Sequence, residues 1–130
     1  MRLATLRDGS RDGTLVVVDG AGRRFAPATG VAPTLQAALD DWQRVESGLR
    51  ALAARLETEA TFGALLDLTR LAAPLPRAYE WVDASSYLTH VRRVRKARGA
   101  EPPADLLTNP LVYQGGSSVM LVQVEPVPEP

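Results

Sequence analysis

Ala73-Pro74-Leu75-Pro76-Arg77 is a segment that no regular helix can cross. Each proline removes a backbone donor, fixes its own φ and drives the residue before it toward extended geometry. The chain is thereby divided at this point, and the division is read as a domain boundary. Residues 1–76 form an N-terminal unit of marginal size, able to bury only ~60% of the surface that its unfolded chain exposes. Residues 77–118 form a second segment, and residues 119–130 a divergent, proline-rich tail.

The N-terminal unit reads as α+β. Arg2 to Leu6 is a short alternating run with Leu3 and Thr5 on one face. Asp8-Gly9-Ser10-Arg11-Asp12-Gly13 is a turn, and Thr14 to Asp19 is compact and rich in β-branched residues. Gly20-Ala21-Gly22 turns the chain again, and Arg23-Arg24-Phe25-Ala26 makes a third strand. Short strands separated by Gly/Asp turns predict an antiparallel meander, with Leu15, Val17 and Phe25 in the core. Thr34 is placed as an N-cap, followed by Leu35, Leu39 and Trp42 at helical spacing. Val45, Leu49, Leu52 and Leu56 define a second amphipathic helix, with Gly48 as its weak point. Helices around Leu39 and Leu52 are expected to cover the meander. Phe62 to Leu71 is apolar and fits neither periodicity.

Composition narrows the chemistry. Lys plus Arg and Asp plus Glu total 15 each, so the formal net charge is zero. That excludes a binder whose affinity comes from bulk positive charge, and equally an acidic solvating tail. The absence of cysteine removes disulfides, thiolate metal sites and a thiol nucleophile, and the single histidine removes any two-imidazole site within one chain. Aromatic residues are 5% of the chain, so the core must be built from Leu, Val and Ala. No run approaches the ~20 apolar residues of a membrane helix, and Met1 to Asp8 has no apolar leader core. The expectation is a cytoplasmic protein without a nucleic-acid or membrane partner.

Beyond Pro76 the reactive side chains become denser. Tyr79-Glu80-Trp81-Val82-Asp83 leads into an expected helix over 84–98, with Ser85 or Ser86 near its start and Tyr87, Val91 and Val94 as its apolar stripe. Arg92, Arg93, Arg95, Lys96 and Arg98 load its C-terminal half, where the helix dipole favours positive charge. Gly99 ends it. This basic run reads first as a solvated face, and second as a holder of a carboxylate or phosphate. Leu111-Val112-Tyr113 is a short strand ending at Gln114-Gly115-Gly116, and Val119 to Val124 is a further candidate strand. If Asp83 opens the helix, His90 stands two turns on and can face the same side, with Tyr87 between them. A carboxylate suits a hard divalent cation, and a neutral imidazole can take a proton from water. The plainer reading makes Asp83 a helix cap and His90 a surface or half-buried residue.

Several blocks, in unbroken order, resemble bacterial proteins of the fumarylacetoacetate hydrolase family. They are Met1 to Leu6 with Asp8 to Gly13, Ala32 to Asp40, Ala73 to Tyr79, Val94 to Glu101 and Asn109 to Ser117. The resemblance implies a small N-terminal domain followed by a mixed β-roll catalytic domain, of which residues 77–118 would be the first, incomplete segment. It implies hydrolysis of C–C bonds in β-diketone or acylpyruvate-like acids, a small keto-acid substrate, a role in aromatic and tyrosine catabolism, and Mg²⁺ or Ca²⁺ gripping the substrate's oxygens. A homodimer is common in the family. By the same resemblance Asp83 is a metal carboxylate, His90 the catalytic group that activates water, and Tyr113 a substrate contact. The basic residue for the substrate's carboxylate is Arg95, Lys96 or Arg98.

The sequence departs from the family after Ser118. The family's Glu-x-Glu pair and later Asp have no counterpart there, where Glu125 and Glu129 are separated by Pro-Val-Pro. One carboxylate cannot hold a hard cation that takes six or more oxygens. The expectation is a truncated or frame-altered product, inactive by itself and without bound metal. The competing expectation is a small non-catalytic α+β domain that serves as a protein-interaction module.

Overall fold

Leu15, Val16, Val17 and Val18 are all buried. Successive residues of a strand point to opposite faces, so four in a row require a sheet covered on both sides. The computed structural model describes residues 1–116 and Met120, and shows how that cover is built. The strands β1 (Arg2–Leu6), β2 (Thr14–Val18), β3 (Arg24–Pro27) and β4 (Ala64–Leu65) form one antiparallel sheet in the order β1-β2-β3-β4. The register sets Leu3 opposite Val17, Thr5 opposite Leu15, and Val17 opposite Ala26. That face receives the helices.

Thr34 caps α1 (Leu35–Asp40), its side chain accepting from the Ala37 amide at 3.1 Å. Asp41 leaves helical geometry and α2 (Trp42–Thr58) follows at once. Val45, Leu49 and Leu56 of α2 are buried against Leu15, Val17 and Ala26, with Leu52 packed beside them. Gly48 lies where an added Cβ would be 3.1 Å from both Val31 methyls, so the weak point of the helix is also a site of close packing. Leu39 departs from its expected place in the core: it is 47% exposed. The break at Asp41 ends α1 before its stripe can continue, and Ala38 is the residue that α1 buries.

The second face is covered by the segment that periodicity left unassigned. Phe25, Val16, Val18 and Leu6 form a cluster there, joined by Ala4, Leu66 and Leu71. Residues 64–66 run beside β3, with the Leu66 amide donating to Arg23 O at 2.8 Å. Residues 70–74 run beside β1: the Arg7 amide donates to Arg70 O, the Ala72 amide to Thr5 O, and the Thr5 hydroxyl to Pro74 O at 2.7 Å. The chain crosses from one edge of the sheet to the other between these two stretches, through a 3₁₀ turn at Leu68–Arg70. The three-stranded meander is thus corrected to four strands with both edges flanked. Asp12 and Arg77 are joined by an ion pair that ties the β1–β2 turn to the end of this return.

Arg24 closes the unit. Its guanidinium donates to the carbonyls of Glu59, Ala60 and Phe62 at 3.0 Å each and also to Leu56 O, which satisfies one C-terminal carbonyl of α2 and three in the segment just after it. Asp19, nearly fully buried, lies 3.6 Å from Arg24 Nε and accepts from the Arg23 amide at 2.7 Å. Among the described residues no buried side-chain nitrogen or oxygen lacks a partner.

Residues 1–78, with Met120, form this compact unit, and residues 79–116 form another. The second holds β5 (Val82–Ser85), α3 (Leu88–Ala97) and β6 (Leu111–Gln114), with β5 and β6 paired antiparallel. Here the expected helix over 84–98 is corrected: residues 82–85 are strand, because Leu111–Gln114 pairs with them, and the helix begins only at Leu88. Tyr87 is its N-cap residue and 74% exposed rather than part of an apolar stripe; Val91 is buried and Val94 half-buried. Arg98 follows the helix and Gly99 turns out of it at φ +64°, as the sequence predicts. No helix among the described residues is long and apolar enough to cross a membrane. The candidate strand over 119–124 and the tail lie outside the described residues, apart from Met120.

Candidate functional site

The β5–β6 register decides which reactive groups share a face. Asp83 pairs with Tyr113 and Ser85 with Leu111. Paired residues of antiparallel strands point the same way, as do residues two apart, so Asp83, Ser85, Leu111 and Tyr113 lie on one face. α3 follows β5 after a two-residue link. His90, Val91, Val94, Arg95 and Arg98 line an open cleft of about 350 Å³ whose other walls are Ser85 and Leu111. A strand rises ~3.3 Å per residue, so Asp83 stands roughly 7 Å along β5 from the Ser85 wall of that cleft.

Asp83 and His90 are therefore not related through two helical turns: Asp83 lies on the β5 face, and His90 lines the cleft at the Ser85 end of that face. The helical spacing argument for them fails because Asp83 is strand; the two reach one surface by another route. Both are exposed. No hydrogen bond or ion pair links them among the described residues. Tyr113 is 64% exposed and meets the Trp81 ring edge-on, with centroids 5.9 Å apart and planes at 75°.

The basic run is sorted by the same helix. Arg95 and Arg98 face the His90 cleft, whereas Lys96 joins Arg92 and Glu101 in a separate open groove. Of the three candidate holders of a substrate carboxylate, two share a cleft with the histidine and one does not. Ser85 is a cleft residue that sequence reasoning placed only near a helix start; the signal it lacked was the identity of its partner strand.

A hard divalent cation takes six or more oxygen ligands. Among the described residues no three of His, Asp and Glu gather in a way that could hold a metal ion. Asp83 does not fit that role without further carboxylates. The chain's one Glu-x-Glu, Glu57-Thr58-Glu59, ends α2 and is engaged elsewhere: Glu57 accepts from the Gly20 amide and Glu59 pairs with Arg55.

The first unit is thus an antiparallel α+β domain with a crossing return, and the second an exposed antiparallel strand pair, joined through a helix, bearing a carboxylate, a histidine and arginines. The family model for fumarylacetoacetase N-terminal domain 2 matches residues 1–77, more than half of the chain. The chain belongs to that family. No match to it is found among curated proteins.

Proposed function

We propose that the chain supplies the N-terminal domain, and the first part of the catalytic surface, of a metal-dependent hydrolase that cleaves C–C bonds in β-diketone or acylpyruvate-like acids. The observation that carries this reading is the family match over residues 1–77, followed directly by the strand pair and helix that present Asp83, His90 and Tyr113. In this reading Asp83 would be one ligand of a divalent cation, Mg²⁺ or Ca²⁺, whose charge would supply polarisation of the substrate's oxygens. The remaining carboxylates must come from outside the described residues.

The chain's own groups have separable roles. His90 Nδ1 or Nε2, exposed at the cleft mouth, accepts a proton from water. Arg95 and Arg98 offer guanidinium donors in a planar fork that matches a carboxylate, and Arg95 is the half-buried one. Lys96 would serve a carboxylate only from the other groove. The Tyr113 hydroxyl donates to, or accepts from, a substrate oxygen. The partners in this reading are a small keto acid and, for a dimeric enzyme, a second copy; the setting is cytoplasmic.

The test is acetylpyruvate hydrolysis, followed by loss of its enol absorbance. These 130 residues with Mg²⁺ should show no turnover, and calorimetry should find no Mg²⁺ or Mn²⁺ site tighter than millimolar. A micromolar site that disappears in Asp83→Ala overturns the idea that the ligand set is incomplete. A protein in which the missing carboxylates are supplied should turn over, and His90→Ala in it should abolish turnover while the fold persists. A second reading, a non-catalytic interaction module, is favoured by the exposure of Val82 and Val112 on the β5–β6 pair. Absence of turnover in the completed protein would select it.

A further inference from the structure

We infer that Trp81 is a specificity-determining residue that forms an apolar wall beside Asp83 and Tyr113 and takes the planar, apolar substituent of a diketo acid. The inference rests on the proposed function. It names a residue that neither the helix pattern nor the basic run brings forward.

Three observations carry it. The Gly115 amide donates to Trp81 O at 2.8 Å, which continues the β5–β6 register by one more pair. Trp81 is thereby two residues before Asp83 on the same face, and its ring meets Tyr113 edge-on. The indole also occupies the space that a side chain at position 115 would fill: a Cβ there would lie 2.1 Å from Trp81 Cε3 and 2.9 Å from Cζ3. Gly115 is a close-approach glycine, and a flat ring lies over it.

The ring is held on two sides and open on others. Trp81 is 45% exposed, although a tryptophan held in this way could have been covered by its own unit. Along the face the order is Trp81, then Asp83 with Tyr113, then Ser85 with Leu111 and the His90 cleft. A small acid whose carboxylate lies toward Arg95 or Arg98 would extend its far end along this line toward the indole. That end is the acyl substituent, and an aromatic wall favours a flat apolar one.

The test is a nitrogen–proton NMR titration of the full chain in Mg²⁺ buffer. It follows the two tryptophan indole signals, assigned by Trp81→Phe. The probes are acetylpyruvate, with a methyl substituent, and benzoylpyruvate, with a phenyl ring. Benzoylpyruvate is expected to bind about fivefold tighter, the order of one aromatic pair, and to move the Trp81 signal and not that of Trp42. Trp81→Ala should erase the preference and Trp81→Phe should retain most of it. Gly115→Ala, which displaces the indole without touching Asp83 or His90, should shift the Trp81 signal and weaken the preference. If both acids bind equally, or the preference survives Trp81→Ala, the role of Trp81 is wrong and the proposed function stands. If neither acid binds at millimolar concentration, the role of Trp81 falls, while the proposed function is decided separately by turnover in the completed protein.

Discussion

Two regions of this chain spend their apolar residues differently. In residues 1–78 both faces of the sheet are covered, one by α1 and α2 and the other by the return through Leu66 and Leu71. In residues 79–116, Val91 is the single buried residue among those described, while Trp81, Val82, Tyr87, Val112 and Tyr113 stand exposed. The first region carries its own stability. The second is a two-stranded pair with one helix, an assembly with little interior of its own, and it is where the reactive side chains lie. A family match that ends at residue 77 coincides with the self-supporting region.

The largest expected effect tests whether stability resides where the core does. Leu49 is fully buried among Leu15, Val17 and Ala26. Leu49→Ala should cost about 2–5 kcal/mol by denaturant unfolding, the range for a buried leucine. Val91→Ala should cost about 1 kcal/mol. Equal losses would erase the contrast between the regions. Hydrogen exchange sharpens it further: amides of 15–18 should be the most protected, and those after Pro76 should exchange faster.

Arg24 comes next. Its fan of donors to the end of α2 is charge-assisted and mostly shielded, so Arg24→Ala should cost about 2–3 kcal/mol. Arg24→Lys should recover little, because an ammonium cannot reach carbonyls of Leu56, Glu59 and Phe62 together. Full rescue by lysine would show that charge alone, and not the fork, closes the domain.

Acid should act on the same region. Hydrogen bonds from Ser10 and Thr14 hold Asp8 at about 2, below its ordinary 3.8. The Arg77 guanidinium lowers Asp12, and the Arg23 amide lowers Asp19 against the opposing effect of burial. A carboxylate lowered in the folded state stabilises it above the unfolded value and loses that contribution as pH falls through the folded value. Stability should therefore hold down to about pH 4 and fall between there and about pH 2. Trp42 fluorescence in an acid titration checks this, and Asp12→Asn should flatten part of the slope. A protein whose stability rises over that interval would contradict these contacts.

What the sequence made legible follows from how local each signal is. Thr34 as a cap, the three short strand runs with their Gly/Asp turns, and the Val45–Leu56 stripe are set within a few residues, and each is found in place. The crossing return was illegible because its two-residue strand and 3₁₀ turn have no period; its apolar residues answer to Phe25 and Val16, far away in the chain. The start of α3 was misplaced for the same reason. Val82-Asp83-Ala84-Ser85 is strand by virtue of Leu111–Gln114, and nothing within its own neighbourhood announces that partner. The sequence singles out Asp83 and Tyr113 one at a time but not their pairing, and Trp81 stands beside them with no local signal of a role.

The smallest expected effect on stability belongs to the most consequential residue. His90 is exposed on α3, and among the described residues it makes no hydrogen bond or ion pair. Its ring lines an open cleft with Ser85 and Arg95 rather than filling an interior. His90→Ala should therefore change unfolding free energy by no more than ~0.5 kcal/mol, as for a surface substitution; alanine's higher helix propensity opposes whatever contact is lost. As the chain's only histidine, it gives a single set of imidazole signals by NMR. Acetylpyruvate bound in the cleft should move those signals, and Arg95→Ala should weaken the movement, since an anion held by Arg95 sits beside the ring. A loss of several kcal/mol in His90→Ala would make the residue a structural one and remove the catalytic assignment. A neutral substitution together with ligand-dependent imidazole signals would place chemistry, and not packing, at the open region of the chain.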